Sequence, residues 1–173
     1  PGFRFIIFFI RRFAKMLVKI YDKNPSEKHI RQAAKILADG GVIIFPTDTI
    51  YAIGCNIFSV KALERVARIK GVNAKTANFS FLCYDLSQLS DYTRPISNEV
   101  YKLMRRNLPG PFTFILNANS NVPKILGHKK QTVGIRIPDN NILLELLKEL
   151  GNPIISTSVH DDDEEMIGLP SSL

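Results

Sequence analysis

Two spacings of apolar residues alternate along the chain. Short continuous apolar runs at residues 17–20, 42–45, 79–84, 112–116, 132–137 and 153–157 predict buried strands. Between them the apolar residues recur at helical spacing. Ile30, Ala33, Ala34 and Leu37 share one helix face behind Asn24-Pro25-Ser26-Glu27, which predicts Asn24 as cap and Pro25 in the first turn. Gly40-Gly41 ends that helix. Leu63, Val66 and Ala67 define a second helix, capped by Ser59 and closed at Lys70-Gly71. A third is predicted over 97–107. A fourth spans 140–150 and stops at Gly151. Strands and helices alternate without repeats or a linker, so the pattern predicts a single α/β domain.

One stretch breaks the pattern. In FPTDTIYAIGC, residues 45–55, a strand meets Pro46 and then Thr47, Asp48 and Thr49 before a second apolar stretch at 50–53. Two hydroxyls and a carboxylate in a row suit a polar turn, since Asp and Thr bond local backbone groups readily. They equally suit the floor of a binding site.

Charge narrows the partners. The chain carries a net +7, and the acidic run Asp161-Asp162-Asp163-Glu164-Glu165 conceals a larger basic surplus upstream. Such a surplus favours anionic partners such as nucleotides or RNA, although scattered surface lysines would give the same sum. Cys55 and Cys83 have no close partner in sequence and His29, His128 and His160 are dispersed. Neither a disulfide scaffold nor a metal cluster is expected, and reduced thiols suit a cytoplasmic protein. At the N-terminus the apolar run 5–10 among four basic residues is far shorter than the ~20 residues a span requires. Residues 1–15 therefore read as a non-native or accessory extension without a membrane span, a surface-lying anchor being the alternative. Residues 16–160 are the expected domain, and 161–173 lose periodicity like an acidic, truncated tail.

Five polar features sit where strands or helices end, the place where α/β sheets bind ligands. Thr47-Asp48-Thr49 is the first. Lys70 closes an apolar helix, with Lys75 in the loop beyond; a cation there is favoured by the helix dipole in any case. Thr113 follows a turn that Leu108-Pro109-Gly110-Pro111 must make. Arg136 lies inside the apolar strand VGIRIP, so it either faces an anion or pairs with a structural carboxylate. Ser156-Thr157-Ser158 ends the last strand. Paired carboxylates and histidine–carboxylate arrangements are not evident, and neither are GxSxG, GxxxxGK[ST] or GxGxxG motifs. Hydroxyls plus cations suit anionic, oxygen-rich ligands and catalysis by positioning and charge neutralisation.

GGVIIFPTDTIYAIGC, the helix ending RIK, LPGPFTFIL, TVGIRIP and IISTS stand in this order across most of the chain. Together they resemble the YrdC/YciO-like family of threonylcarbamoyl-AMP synthases and relatives. ARIKGVNAKTANFSFLCYDLSQLSDY and DDDEE are similar to the YciO branch. The resemblance implies a twisted mixed parallel and antiparallel sheet with flanking helices around a basic cavity. It implies a nucleotidyltransferase that joins threonine, bicarbonate and ATP, the last carrying Mg2+, into threonylcarbamoyl-AMP for tRNA modification. By the same resemblance, Lys70 and Arg136 carry the catalytic charge. Thr47, Lys75, Thr113, Ser156 and Ser158 bind substrate or nucleotide, and tRNA or double-stranded RNA is a further expected partner.

Two positions depart from the synthase pattern. The synthases carry Lys-x-Arg where this chain has Lys70-Gly71-Val72, and Ser-x-Asn where it has Ser158-Val159-His160. Valine offers neither charge nor donors in place of a guanidinium, whereas histidine still donates one hydrogen bond. A catalytically weak or inactive RNA- or nucleotide-binding protein of YciO type is the alternative reading.

Overall fold

Eight strands form one sheet in the order β2-β1-β3-β4-β8-β5-β7-β6 in the computed structural model, which describes residues 4–10, 15–126 and 131–159. In chain order the elements are β1 (Arg4–Ile10), β2 (Lys15–Tyr21), α1 (Glu27–Ala38), β3 (Val42–Phe45), β4 (Ala52–Asn56), α2 (Val60–Ile69) and β5 (Ser80–Leu82). They continue as α3 (Leu89–Tyr92), α4 (Asn98–Asn107), β6 (Phe114–Asn117), β7 (Thr132–Arg136), α5 (Asn141–Leu150) and β8 (Ile154–Ser158). Only β5 and β7 run parallel; every other neighbouring pair is antiparallel. The expected mixed sheet with flanking helices is the fold.

Alternation along the strands splits the apolar residues between two layers. Val42, Ile44, Ile53, Cys55, Phe81, Ile135 and Ile155 face one way and bury with Leu63, Val66 and Ala67 of α2 and Met104 of α4. Ile43, Phe45, Ala52, Leu82 and Ile154 face the other way, beneath Ala33 and Leu37 of α1 and Ile142, Leu143, Leu146 and Leu147 of α5. Four of these strand residues are 0–1% exposed, and Ala52 is 6% exposed.

Local chemistry sets the ends. Ser59 accepts from the Ala62 amide at 3.3 Å and caps α2, and Asn140 accepts from the Leu143 amide at 3.0 Å and caps α5. Gly71 at φ 64° and Gly151 at φ 78° take the left-handed conformation that closes these helices. At Gly54 a Cβ would stand 2.7 Å from the Ile155 carbonyl, so only glycine lets β4 and β8 approach here.

The structure corrects four expectations. Ser26, not Asn24, precedes the first helical residue, and its side chain makes no cap hydrogen bond. The strand expected at 50–53 begins at Ala52 and runs on through Gly54, because residues 47–51 are held by their own polar contacts. The run 79–84 yields only the three residues of β5. Leu89–Tyr92 forms a short helix that the pattern did not suggest. Residues 1–15, read above as accessory, contribute Arg4–Ile10 as β1, paired in register with β2 on one side and β3 on the other. Its run of aromatic and β-branched residues has strand character, and both edges of its backbone find partners. His160, His128 and the stretch 161–173 lie outside the described residues.

Candidate functional site

The α1 and α5 side of the sheet changes character partway across. In register across four strands, Gly54 stands opposite Ser156, Ser156 opposite Ser80, and Ser80 opposite Gly134. Neighbours across a sheet share a face, so these four small residues form one row on the same side as Leu82 and Ile154. Beside Gly134 lies Ile115, which is exposed, and a Cβ on Gly134 would meet Thr113 Cγ2 at 3.0 Å. Ser158 joins this face opposite Ala52. The apolar helices therefore cover one part of the face. Gly54 falls in the apolar part, since a Cβ there would meet Ile154 at 2.8 Å and Phe45 at 3.1 Å; Gly134 and the hydroxyl residues line the rest.

Arg136 stands at the border of the two parts, opposite Leu82. Its guanidinium pairs with Asp48 and donates to Thr49 Oγ1 at 3.0 Å. The two charged side chains keep only 14% and 9% of their surface in solvent. Burying charges this far is costly unless each is paired and further hydrogen-bonded. Asp48 meets that condition with its second oxygen, which accepts from the Asp139 amide at 3.2 Å. The Arg136 Nε is buried without a hydrogen-bond partner. Of the two possibilities for Arg136, the structural carboxylate is realised.

This pairing also places the loop. β7 is three strands from β4, about 14 Å at ~4.8 Å per strand. Arg136 is level with Leu82, Ile154 and Asn56, away from the Phe45 and Ala52 end, so for Asp48 to reach it the 46–51 loop must fold back over β8 and β5. Thr47 and Thr49 hold it there. Thr47 Oγ1 donates to the Ile50 carbonyl at 2.6 Å and accepts from the Thr49 amide at 3.1 Å. Thr49 Oγ1 lies 3.1 Å from Thr47 Oγ1. With its proton given to Ile50, Thr47 can only accept from Thr49, which fills both of its lone pairs. The turn chemistry of this stretch is thus present, and Thr47 is saturated by it.

The strand hydroxyls differ. Thr113, Ser156, Ser158 and Ser80 make no side-chain hydrogen bond to any described residue. Ser156 is nonetheless only 4% exposed. Ser80 was missed from sequence because its run looked like a wholly buried strand; the signal was a lone hydroxyl in NFSFLC.

Lys70 ends α2 and Lys75 lies in the loop beyond it. α2 follows β4 after a three-residue turn and packs on the opposite face of the sheet. Ten helical residues rise about 15 Å, close to the ~17 Å of a five-residue strand. The C-cap Lys70 therefore returns to the level where β4 begins and β8 ends. Lys70 is half-buried; Lys75 is exposed in a loop where its amide donates to Asn73 Oδ1 at 2.9 Å. Val72, in place of the synthase arginine, is 44% exposed. The structure thus brings Thr113, Arg136, Ser156 and Ser158 onto one face and joins Thr47 to them through Thr49.

Both cysteines belong to the core. Burial pushes the Cys55 and Cys83 thiols up to about 12, so they stay protonated at neutral pH and carry no nucleophilic role. Among the described residues no group of three or more His, Cys, Asp and Glu side chains is placed to hold a metal, and no helix is long and apolar enough to cross a membrane.

Known proteins share this arrangement. The family model of Sua5, YciO and YrdC, described as telomere recombination, matches residues 35–172. YciO of Escherichia coli is 43% identical over 141 residues, covering 81% of this chain and 68% of that protein. Its crystal structure superposes with a TM-score of 0.71. The threonylcarbamoyl-AMP synthase of Bacillus subtilis is 33% identical over 139 residues, 79% of this chain but 40% of that protein. Sua5 of P. abyssi, solved with L-threonine, is 30% identical with a TM-score of 0.73, over 78% of this chain and 39% of that one. The small-residue row, the 46–51 loop and β7 all fall within the matched region, and the chain belongs to the Sua5/YciO/YrdC family.

Proposed function

We propose that this protein is a threonylcarbamoyl-AMP synthase-type nucleotidyltransferase of the cytoplasm, acting toward tRNA threonylcarbamoyladenosine. The observation that carries the reading is the row of uncommitted hydroxyls beside a buried guanidinium. All three substrates are anions or carry anionic groups: the threonine carboxylate, bicarbonate and the ATP triphosphate. Hydroxyls and guanidinium or ammonium groups are the donors such oxygens require. Relatives that share the fold at 30–33% identity are a threonylcarbamoyl-AMP synthase and a Sua5 solved with L-threonine.

In this reading the threonine amine bonds to the carbon of bicarbonate with loss of water. An oxygen of the resulting carbamate then bonds to the α-phosphorus of ATP, and the bond to pyrophosphate breaks. Little covalent chemistry is asked of the protein. Its task is to hold three anions together and to offset their repulsion. Arg136, oriented by Asp48, and Lys70 supply positive charge. Thr113, Ser156 and Ser158 donate to substrate oxygens, and Lys75 reaches the nucleotide from its loop. Thr47 acts by holding the loop, or by exchanging one of its internal bonds for substrate. ATP arrives as its magnesium complex, with the metal held by phosphate oxygens and water.

The test is pyrophosphate release from MgATP. It should require both threonine and bicarbonate, and fall at least about a hundredfold in Arg136→Ala and Lys70→Ala. Turnover that ignores threonine would sink the proposal. Val72 favours a second reading, because an exposed valine cannot neutralise phosphate. A YciO-type protein that binds RNA or nucleotide without turnover would instead show salt-dependent RNA binding and no threonine-dependent pyrophosphate.

A further inference from the structure

We propose that Ser80 is a further ligand-binding residue of this site. Its hydroxyl and that of Ser156 form a paired seat for one oxyanion group of the substrates, a carboxylate or a phosphate, beside Gly134. The proposal rests on the synthase-type reading and names a contact within it.

The register places the two serines directly opposite one another on β5 and β8. Directly opposed residues on one face hold their Cβ atoms about 4.5–5.5 Å apart. Two hydroxyls at that separation can each donate to a different oxygen of one carboxylate, or together to one phosphate. Neither hydroxyl is engaged by another described residue, although Ser156 is 4% exposed and Ser80 is half-buried.

The surroundings favour a ligand over packing. Ser80 and Leu82 lie on the same face two residues apart, and Leu82 sits in the core beneath α1 and α5. Ser80 is where the strand leaves that core. On its other side, a Cβ at Gly134 would stand 3.8 Å from Ser80 Oγ and 3.0 Å from Thr113 Cγ2. Glycine keeps a gap between these two hydroxyl residues. Arg136, paired with Asp48, follows two residues further along the same face, about 7 Å away along the strand.

Calorimetric titration with L-threonine alone and with MgATP alone distinguishes a carboxylate from a phosphate occupant. In Ser80→Ala, affinity for one of the two should fall about tenfold while the other stays within about twofold. Ser156→Ala should weaken the same ligand, and Ser80→Thr, which keeps the hydroxyl, should restore it to within about threefold. The thermal midpoint of Ser80→Ala should not move, since no hydrogen bond to a described residue is lost. Unchanged affinity for both ligands in Ser80→Ala would overturn the proposal while leaving the synthase-type reading intact. So would a loss for both ligands together with a lowered midpoint, which marks a structural serine. If the wild-type protein binds neither ligand, both proposals fall together.

Discussion

The covered and the open parts of one sheet face are built on the same strands and differ only in side-chain size and polarity. β8 carries Ile154 and then Ser156; β5 carries Leu82 and then Ser80. The first of each pair closes against α1 and α5, and the second, one pleat away, makes no side-chain hydrogen bond to a described residue. Apolar residues at these positions draw a helix onto the sheet, because burying them is worth roughly 25 cal/mol per Å2. Small polar residues offer no such gain. The boundary falls at Arg136, whose charge is tolerated only because the 46–51 loop brings Asp48 to it.

Five substitutions or conditions probe this division, beginning with the largest effect. Phe45→Ala, in the covered part, should lower the free energy of unfolding by about 3–5 kcal/mol, as read by chemical denaturation, because α1 cannot collapse into the space. Asp48→Ala comes next. It leaves the Arg136 guanidinium largely buried and unpaired, at a cost of about 3 kcal/mol. Combining it with Arg136→Met should recover most of that loss, and a double mutant no more stable than Asp48→Ala would refute the pairing as the cause.

High pH should loosen the layer under α2 and α4 through the thiols. Cys55 and Cys83 have folded values raised to about 12 from 9.0. The unfolded chain therefore loses their protons first. Their contribution is fully present below pH 9 and is lost as pH rises from there toward about 12, by roughly 1 kcal/mol per thiol for each pH unit. Thermal midpoints measured from pH 8 to 10.5 should fall, and the fall should be shallower in Cys55→Ala/Cys83→Ala. Smallest is Ser156→Ala. Its hydroxyl has no partner among the described residues, so stability should change by no more than about 0.5 kcal/mol while ligand affinity drops. Thr47→Val, by contrast, should cost about 1–2 kcal/mol, since it removes a hydroxyl that donates to Ile50 and accepts from Thr49.

Much of the fold was legible because it is local. Ser59, Asn140, Gly71 and Gly151 set helix ends through contacts only a few residues long, and the apolar periods of α1, α2 and α5 show which side each buries. The site was legible only as a collection of residues. Arg136 was known to need either an anion or a carboxylate, but the choice depended on Asp48, 88 residues away. Thr47 and Ser156 looked alike as hydroxyls at strand ends. One proves saturated by its own turn and the other uncommitted, which spacing cannot reveal. Ser80 escaped notice because a single serine in an apolar run has no periodicity of its own.

By itself the sequence determined the alternation of strands and helices, the basic surplus, and the motifs that mark the family, since each follows from neighbouring residues or from order along the chain. Tertiary structure alone decided that β8 inserts between β4 and β5, and that Gly54, Ser156, Ser80 and Gly134 therefore stand in one row. Strand order and register are set by which apolar faces can be buried together across the whole chain. That requirement has no local signature, and it is what gathers these hydroxyls beside Arg136.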